Sequence, residues 1–212
     1  MKYLKYYLIA LLIIAIDQAV KMWVYYNMQM GMAGQIPVFD DWFKLHYTLN
    51  PGMAFGVQLG SEYGKIILTV FRMVAMVGIA YLVYYLVKNR YHQGLIWCVG
   101  LILGGAIGNL IDSIFYGVWL DNAPYGVATP WLHGQVIDMF YIDIWEGILP
   151  HWIPIIGGTP MSLWPIFNVA DASIFVGVLI IVFNQNKFLN PPAKKQHTNI
   201  NAQKMDIDIV EA

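Results

Sequence analysis

The sequence predicts an all-α polytopic membrane protein with four transmembrane helices, to which a small extracytoplasmic β-sheet and an interfacial segment are added. Of its 212 residues, 58% are hydrophobic and only 12% are charged, a composition too apolar for an ordinary soluble domain. Four segments have the length of about 20 mainly apolar residues that a membrane-spanning helix requires. These segments cover residues 5–26, 66–88, 94–116 and 167–185.

The first apolar segment follows two lysines, as the apolar part of a signal peptide would, but no clear cleavage site follows it. We therefore expect this segment to be retained as the first transmembrane helix. Residues 1–186 are expected to form a single membrane-embedded domain. Residues 187–212 are expected to form a polar cytoplasmic tail without fixed structure.

The distribution of Lys and Arg predicts the orientation of the chain in the membrane. These residues occur before the first helix, in the link between the second and third helices and in the tail, whereas residues 91–186 contain none of them. Cytoplasmic segments carry the excess of positive charge in membrane proteins. Both termini are therefore expected in the cytoplasm, and residues 27–65 and 117–166 outside it.

The outer segments contain two candidate strands. Apolar and polar residues alternate along "WFKLHYTLN" (42–50), and "QVIDMFYIDIW" (135–145) is also typical of a strand. The residues that follow, up to the fourth helix, are rich in Trp, Pro and Ile, a composition typical of a segment that lies along lipid headgroups. We expect a small sheet that rests on the helices, followed by this interfacial segment.

Four carboxylates are expected close to the outer leaflet: Asp17, Asp112, Asp138 and Asp171. A charged group within a bilayer costs at least ~2.5 kcal/mol and is usually functional or paired. Two carboxylates held together share one proton, so one of them can act as a general base while the other acts as a general acid. The cluster therefore favours hydrolysis by a pair of aspartates.

Other catalytic chemistries find little support in the sequence. There is no H-E-x-x-H or G-x-S-x-G motif, and the five histidines show no metal-ligand spacing. Cys98 is the single cysteine, and we interpret it as a packing residue. Neither a metal ion nor another cofactor is expected, and nothing indicates a nucleic-acid partner.

Five motifs, in order along the chain, resemble those of the lipoprotein signal peptidases (type II signal peptidases) of bacteria. They are "DQAVK" (17–21), "NPGMAFG" (50–56), "GGAIGNLID" (104–112), "VIDMF" (136–140) and "FNVADASI" (167–174). The resemblance implies four helices, an extracytoplasmic β-cradle and a short interfacial helix. It also implies an aspartic endopeptidase that removes the signal peptide from diacylglyceryl-modified prolipoproteins, cleaving before the lipidated cysteine.

The resemblance also implies roles for particular residues. Asp138 and Asp171 would be catalytic. Asp17 and Lys21 lie four residues apart, on one helix turn, and this spacing predicts a structural ion pair. The residues expected to bind or orient the substrate are Asn50, Gly52, Phe55, Asn109, Asp112 and Asn168. The enzyme would act as a monomer among membrane lipids in the bacterial cell (inner) membrane, with its active site near the outer leaflet.

The sequence departs from the family's pattern at two places. Ser113 follows the aspartate of the third helix, where the family usually has Arg, and we hypothesise that Arg72 of the second helix replaces it. The stretch between Asp138 and Asp171 is longer than the family leads us to expect. Residues 143–165 form the insertion, and its role as a lid or a membrane-surface arm stays open.

Two functions of other classes remain as alternatives. Carboxylates within a membrane also relay ions in small transporters and proton-conducting carriers, but here they gather at one leaflet and form no path across it. No internal repeat or pair of half-helices is evident either. A non-catalytic scaffold would leave the clustered carboxylates unexplained.

Overall fold

The computed structural model describes residues 3–39, 42–51, 64–152, 157–158, 160–162 and 164–189. The helices are α1 (Leu4–Asn27), α2 (Gly64–Lys88), α3 (Gln93–Trp119), α4 (Val169–Phe183) and α5 (Gln185–Leu189). The strands are β1 (Ile36–Phe39), β2 (Phe43–Asn50), β3 (Val136–Ile142), β4 (Glu146–Ile148) and β5 (Pro160–Ser162). The sequence-based prediction of a mainly helical membrane protein with a small sheet is confirmed.

Three helices, α1, α2 and α3, are long and apolar enough to cross a membrane. The fourth apolar helix, α4, has only 15 residues and is shorter than predicted. It begins late because Asn168 caps its first turn, and Asn184 ends it before the short helix α5 continues the chain. Asn168 and Asn184 mark boundaries that the length of the predicted apolar segment does not show.

Helix α3 packs against α1, α2 and α4, and its glycines permit the close approach. A Cβ atom on Gly104 would lie 2.9 Å from the carbonyl oxygen of Ala10 in α1, and one on Gly105 would collide with the carbonyl oxygen of Ala170 in α4. Small residues at such positions let helix backbones meet closely in membranes. The glycine-rich motif of α3 therefore fixes the position of the helices that carry the candidate carboxylates.

The predicted strands pair in one antiparallel sheet with the order β1-β2-β3. Strand β1, which the sequence reading missed, forms its edge. Between Leu45 and Thr48 the register of β2 against β3 shifts by a bulge, after which Thr48 lies opposite Asp138 and Asn50 opposite Val136. The bulge sets which β2 residues accompany Asp138, because one extra residue reverses the faces of a strand.

The insertion between β3 and α4 contains a second, two-stranded antiparallel sheet of β4 and β5. In the part of this insertion that the structure describes there is no helix, so the implied interfacial helix is not found there. Proline recurs along the segment, at positions 150, 154 and 160, and proline breaks the hydrogen-bond ladder of a helix interior. The exposed side chains of the insertion include Ile148 and Trp152.

The core consists of two clusters at opposite ends of the bundle. One contains Tyr6 and Leu86 together with residues from α3 and α5. The other joins Val24 at the far end of α1 to Tyr47 and Ile137 of the sheet. Because a helix rises 1.5 Å per residue, the sheet sits on the end of the bundle away from the exposed Lys5 and Lys88.

Candidate active site

Lys21 lies at the centre of a buried polar network that joins α1 to α3. Its ammonium group is 2.8 Å from Asp17 Oδ2 and 2.7 Å from Asp112 Oδ2, and it donates to Asn109 Oδ1 at 3.0 Å. The side chains of Lys21, Asp17 and Asp112 are fully buried. The structure thus contains the ion pair expected from the spacing of Asp17 and Lys21, and it adds a second carboxylate to that pair.

Asp112 also holds the sheet in place. Its Oδ2 accepts a hydrogen bond from the backbone N–H of Ile137 in β3 at 3.4 Å, while its Oδ1 accepts one from Gln18 at 2.9 Å. Asp112 lies in a π-helical turn, Asp112–Tyr116, near the end of α3. Such turns frequently occur at functional sites. Both oxygens of Asp112 therefore have protein partners, so this residue supports the strand that carries Asp138.

Asp138 points into the protein from β3 and is only 1% exposed. Its Oδ2 accepts a hydrogen bond from Asn50 Nδ2 at 3.0 Å, and its Oδ1 accepts one from Asn168 Nδ2 at 2.6 Å. Burial raises the pKa of Asp138 to about 7, and the negative charge of Asp171 acts in the same direction. A buried carboxyl next to a second carboxylate takes up a proton readily for these two reasons.

Asn168 connects the two predicted catalytic aspartates. Its Oδ1 accepts the backbone N–H of Asp171 at 2.9 Å and so caps helix α4. Because the oxygen serves the cap, the amide nitrogen must face Asp138 and Asn109, and it donates to both. The capped helix thus fixes Asp171 relative to Asp138.

Asp171 is half-buried in the first turn of α4. Its Oδ1 accepts a hydrogen bond from Asn109 Nδ2 at 2.7 Å. The Oδ1 atom of the same Asn109 accepts from Lys21 and from Asn168. Asn109 is thus the junction between the Lys21 network and the aspartate pair.

The structure brings most of the predicted site residues together. Asn50 and Asn168 contact Asp138, Asn109 contacts Asp171, and Asp112 adjoins the network through Lys21. Gly52 and Phe55 lie outside the described residues. Within the described part of the chain, no three His, Cys, Asp or Glu side chains are grouped so that they could hold a metal ion.

Sequence reasoning missed several polar residues of the site. Gln18 donates to Asp17 and Asp112 and accepts from Tyr116. Thr69 of α2 is fully buried and donates to the backbone oxygen of Leu132. A polar side chain on an otherwise apolar membrane helix is the signal that could have identified both.

Comparison with known proteins shows the family of the chain. The family model described as signal peptidase (SPase) II matches residues 9–186. The chain belongs to this family. Membership in the signal peptidase II family makes it a membrane-bound peptidase, and the carrier and scaffold alternatives are set aside.

Named members of the signal peptidase II family are similar along most of the chain. A lipoprotein signal peptidase of Amoebophilus asiaticus is 51% identical over 192 residues, which are 90% of this chain and 81% of that protein. One of Porphyromonas gingivalis is 41% identical over 182 residues, 81% of this chain and 78% of that protein. The family match over residues 9–186 includes the helices and strands that form the site.

Two solved structures of bacterial membrane enzymes share the fold. One covers 92% of this chain and 94% of its own, with a TM-score of 0.57 and 23% identity. The other covers 85% of this chain and 92% of its own, with a TM-score of 0.55 and 25% identity. The arrangement of helices and sheet is therefore that of a known class of membrane enzyme.

The double role of Asn168 leads to a prediction that separates its two contacts. Asn168→Ser keeps a good helix cap but cannot reach Asp138, whereas Asn168→Ala loses both contacts. We expect both variants to lower kcat about 100-fold, because Asp138, the predicted catalytic residue, loses its orientation. Only Asn168→Ala should also lower the free energy of unfolding, by about 1 kcal/mol. Steady-state kinetics and thermal unfolding in detergent would check this, and a serine variant with normal kcat would contradict it.

Proposed function

We propose that the protein removes the signal peptide from diacylglyceryl-modified prolipoproteins by cleaving before the lipidated cysteine, with Asp138 and Asp171 as the catalytic pair. One observation above all supports the assignment of these residues. Asp138 is buried and its pKa is raised to about 7 by burial and by the charge of Asp171, so the pair holds one proton near neutral pH. The two aspartates are fixed relative to each other by Asn168.

A pair with one proton can carry out both proton transfers of peptide hydrolysis. The ionised carboxylate takes a proton from a water molecule, which attacks the scissile carbonyl carbon. The protonated carboxyl donates to the carbonyl oxygen. As the C–N bond breaks, the aspartate that took the proton from water passes it to the leaving amine, and a hydroxyl of the tetrahedral intermediate returns a proton to the other aspartate. The pair titrates as a unit, so neither role is assigned to one aspartate.

The polar residues around the pair support an extended substrate. A helical carbonyl is already hydrogen-bonded, so the signal helix must unwind at the cleavage point. Asn50 lies at the end of β2 next to Asp138 and would orient the unwound segment. We assign Gly52 and Phe55, which follow Asn50 in the sequence, to the binding of the same substrate segment. Asn109 and Asn168 orient the aspartates, and Asp112 orients β3.

The multi-pass architecture and the charge distribution support a location at the outer leaflet of the bacterial cell membrane. Lys5, Lys88 and Arg90 lie at the end of the bundle opposite the sheet, and that end would be cytoplasmic. The acyl chains of the substrate would remain among the membrane lipids, so their binding energy positions the bond that reacts. A monomer contains all the residues assigned here.

The function is tested with purified protein and a synthetic prolipoprotein that carries diacylglyceryl on its cysteine. We expect mass spectrometry to show cleavage directly before that cysteine. The same peptide without the lipid is the matched control and should be cleaved much more slowly. Equal cleavage of both peptides, or cleavage at another bond, would contradict the proposed specificity.

The raised pKa of Asp138 predicts an alkaline limb in the pH profile. Below about pH 7 the pair keeps its shared proton, and above that pH it loses the general acid. We therefore expect kcat/KM to fall as the pH rises through about 7, since this quantity reports the groups of the free enzyme. A rate that stays constant well above pH 7 would show that no such proton is needed.

A further inference from the structure

Helix α2 carries a polar stripe on one face of an otherwise apolar segment. Lys65, Thr69 and Arg72 are spaced four and three residues apart, and residues at this spacing share a helix face. A cation on a membrane helix is expensive unless it faces other protein groups. The stripe therefore indicates a polar region next to α2.

The hydrogen bonds show which region the stripe faces. Arg72 Nη1 donates to Ser113 Oγ at 3.2 Å, and Ser113 Oγ donates to the backbone oxygen of Asn109 at 3.0 Å. Thr69, one turn away, donates to the backbone oxygen of Leu132 at 3.0 Å. Arg72 thus reaches α3 at the turn that carries Asn109 and Asp112.

Several helices and one strand contribute charged side chains to the site. The carboxylates of Asp171, Asp112 and Asp138 all act on the Arg72 guanidinium, and Lys65 interacts with Arg72 and Asp112. The charged groups of the site are Asp17 and Lys21 from α1, Lys65 and Arg72 from α2, Asp112 from α3, Asp138 from β3 and Asp171 from α4.

The balance of these charges depends on the cations of α2. Four carboxylates and three cations leave a single negative charge, which one proton on the aspartate pair neutralises. Without Arg72 the remaining charged side chains of the site would carry one more negative charge in total. A more negative surrounding favours the protonated form of a carboxyl group. At acidic pH it would therefore reduce the fraction of pairs in which one member is ionised.

We infer that Arg72, held by Ser113, is a positioning residue for the reaction: its charge keeps one carboxylate of the Asp138–Asp171 pair ionised so that it can serve as the base. This inference rests on the proposed function. It also gives a reason for the serine at position 113, because the side chain there receives the guanidinium from α2. Arg72 acts here through the aspartates, without a bond to the reacting atoms.

The pH profile of Arg72→Gln tests the inference. Loss of the positive charge favours the protonated pair, so we expect the acid limb of kcat/KM to move up by about one pH unit. At pH values below this limb the rate should fall about 10-fold, because one pH unit is a factor of ten in the ionised fraction. Arg72→Lys keeps the charge and should keep the limb near its wild-type position, even if its rate is lower. Lys88→Gln, at the exposed end of the same helix, is the matched control and should leave the profile unchanged.

A second variant tests the contact with α3. Arg72→Gln combined with Ser113→Arg returns a guanidinium to the same place from the other helix, and the acid limb should move back towards that of the wild type. An Arg72→Gln enzyme that is slower but has the wild-type pH profile would overturn the inference and leave Arg72 a merely structural residue. If Arg72→Gln does not fold, Ser113→Ala decides: it removes the hydrogen bond that holds the guanidinium, so the acid limb should move up, and an unchanged limb would overturn the inference.

Failure of the inference can be told apart from failure of the proposed function. The protonation of Asp138 is followed directly by isotope-edited infrared spectroscopy, which requires no substrate. Arg72→Gln should raise the pH at which Asp138 loses its proton, whether or not the wild type cleaves prolipoproteins. An unchanged titration in a protein that does cleave them would refute the role of Arg72 alone.

Discussion

Asp138→Asn and Asp171→Asn are each expected to lower kcat by at least about 1,000-fold, while the variants stay folded. Each substitution keeps the shape of the side chain but removes the group that binds the shared proton. General acid–base catalysis contributes 10²–10⁴-fold at each position, and groups that act as a unit fail together when either is removed. The measurement is single-turnover cleavage of the lipidated prolipoprotein, with thermal unfolding in detergent as a check of the fold.

Asp143→Asn is the matched control for these two variants. Asp143 directly follows β3 and forms an ion pair with Lys44 at 2.6 Å, away from the hydrogen bonds that join Asp138 to Asp171. Its carboxylate is partly exposed, and we expect activity within about twofold of the wild type, since surface ion pairs contribute little. Normal cleavage by either Asp138→Asn or Asp171→Asn would refute the catalytic assignment.

Lys21→Met is expected to cause the largest loss of stability. The ammonium group compensates two fully buried carboxylates, Asp17 at 2.8 Å and Asp112 at 2.7 Å. Removal of one partner from a buried ion pair leaves an uncompensated charge and costs about 3–5 kcal/mol. Because Asp112 also holds the backbone of Ile137, the loss should loosen β3 and reduce cleavage as well.

A triple variant separates the effect of charge on stability from the effect of packing in this network. Lys21→Met combined with Asp17→Asn and Asp112→Asn removes the unpaired charges and should regain most of the lost stability, since buried ion pairs are often replaced by neutral groups at little cost. The exposed Lys5 of the same helix provides the control, and Lys5→Met should unfold as the wild type does. A Lys21→Met protein as stable as the wild type would show that this network is not structural.

The helices could be predicted well because apolar length is a strong and local signal. The strands β2 and β3 were predicted from alternation, but the bulge between Leu45 and Thr48 was not, because pairing register depends on two distant segments. The pairing of β4 with β5 was not predicted, because the Trp and Ile residues of this insertion are as typical of strands as of a segment that lies along lipid headgroups. The start of α4 depends on the cap at Asn168, which an apolar pattern does not reveal.

The site was predicted in part because its charged residues are conspicuous on apolar helices. Asp138, Asp171, Asn109 and Asn168 meet in one network, as the motifs led us to expect. The sequence did not show that Lys21 binds two carboxylates at once or that Gln18 joins them. These contacts depend on the close packing of α1 against α3, which the glycines of α3 permit but the sequence does not specify.

The central claim is that Asp138 and Asp171 work as one pair that shares a proton. The most direct test is the pH titration of the Asp138 carboxyl group by isotope-edited infrared spectroscopy, in the wild type and in Asp171→Asn. We expect Asp138 to lose its proton near pH 7 in the wild type, at the alkaline limb of kcat/KM, and at a lower pH in Asp171→Asn because the neighbouring charge is gone. An Asp138 that is already ionised well below pH 7, or that titrates identically in both proteins, would contradict the account.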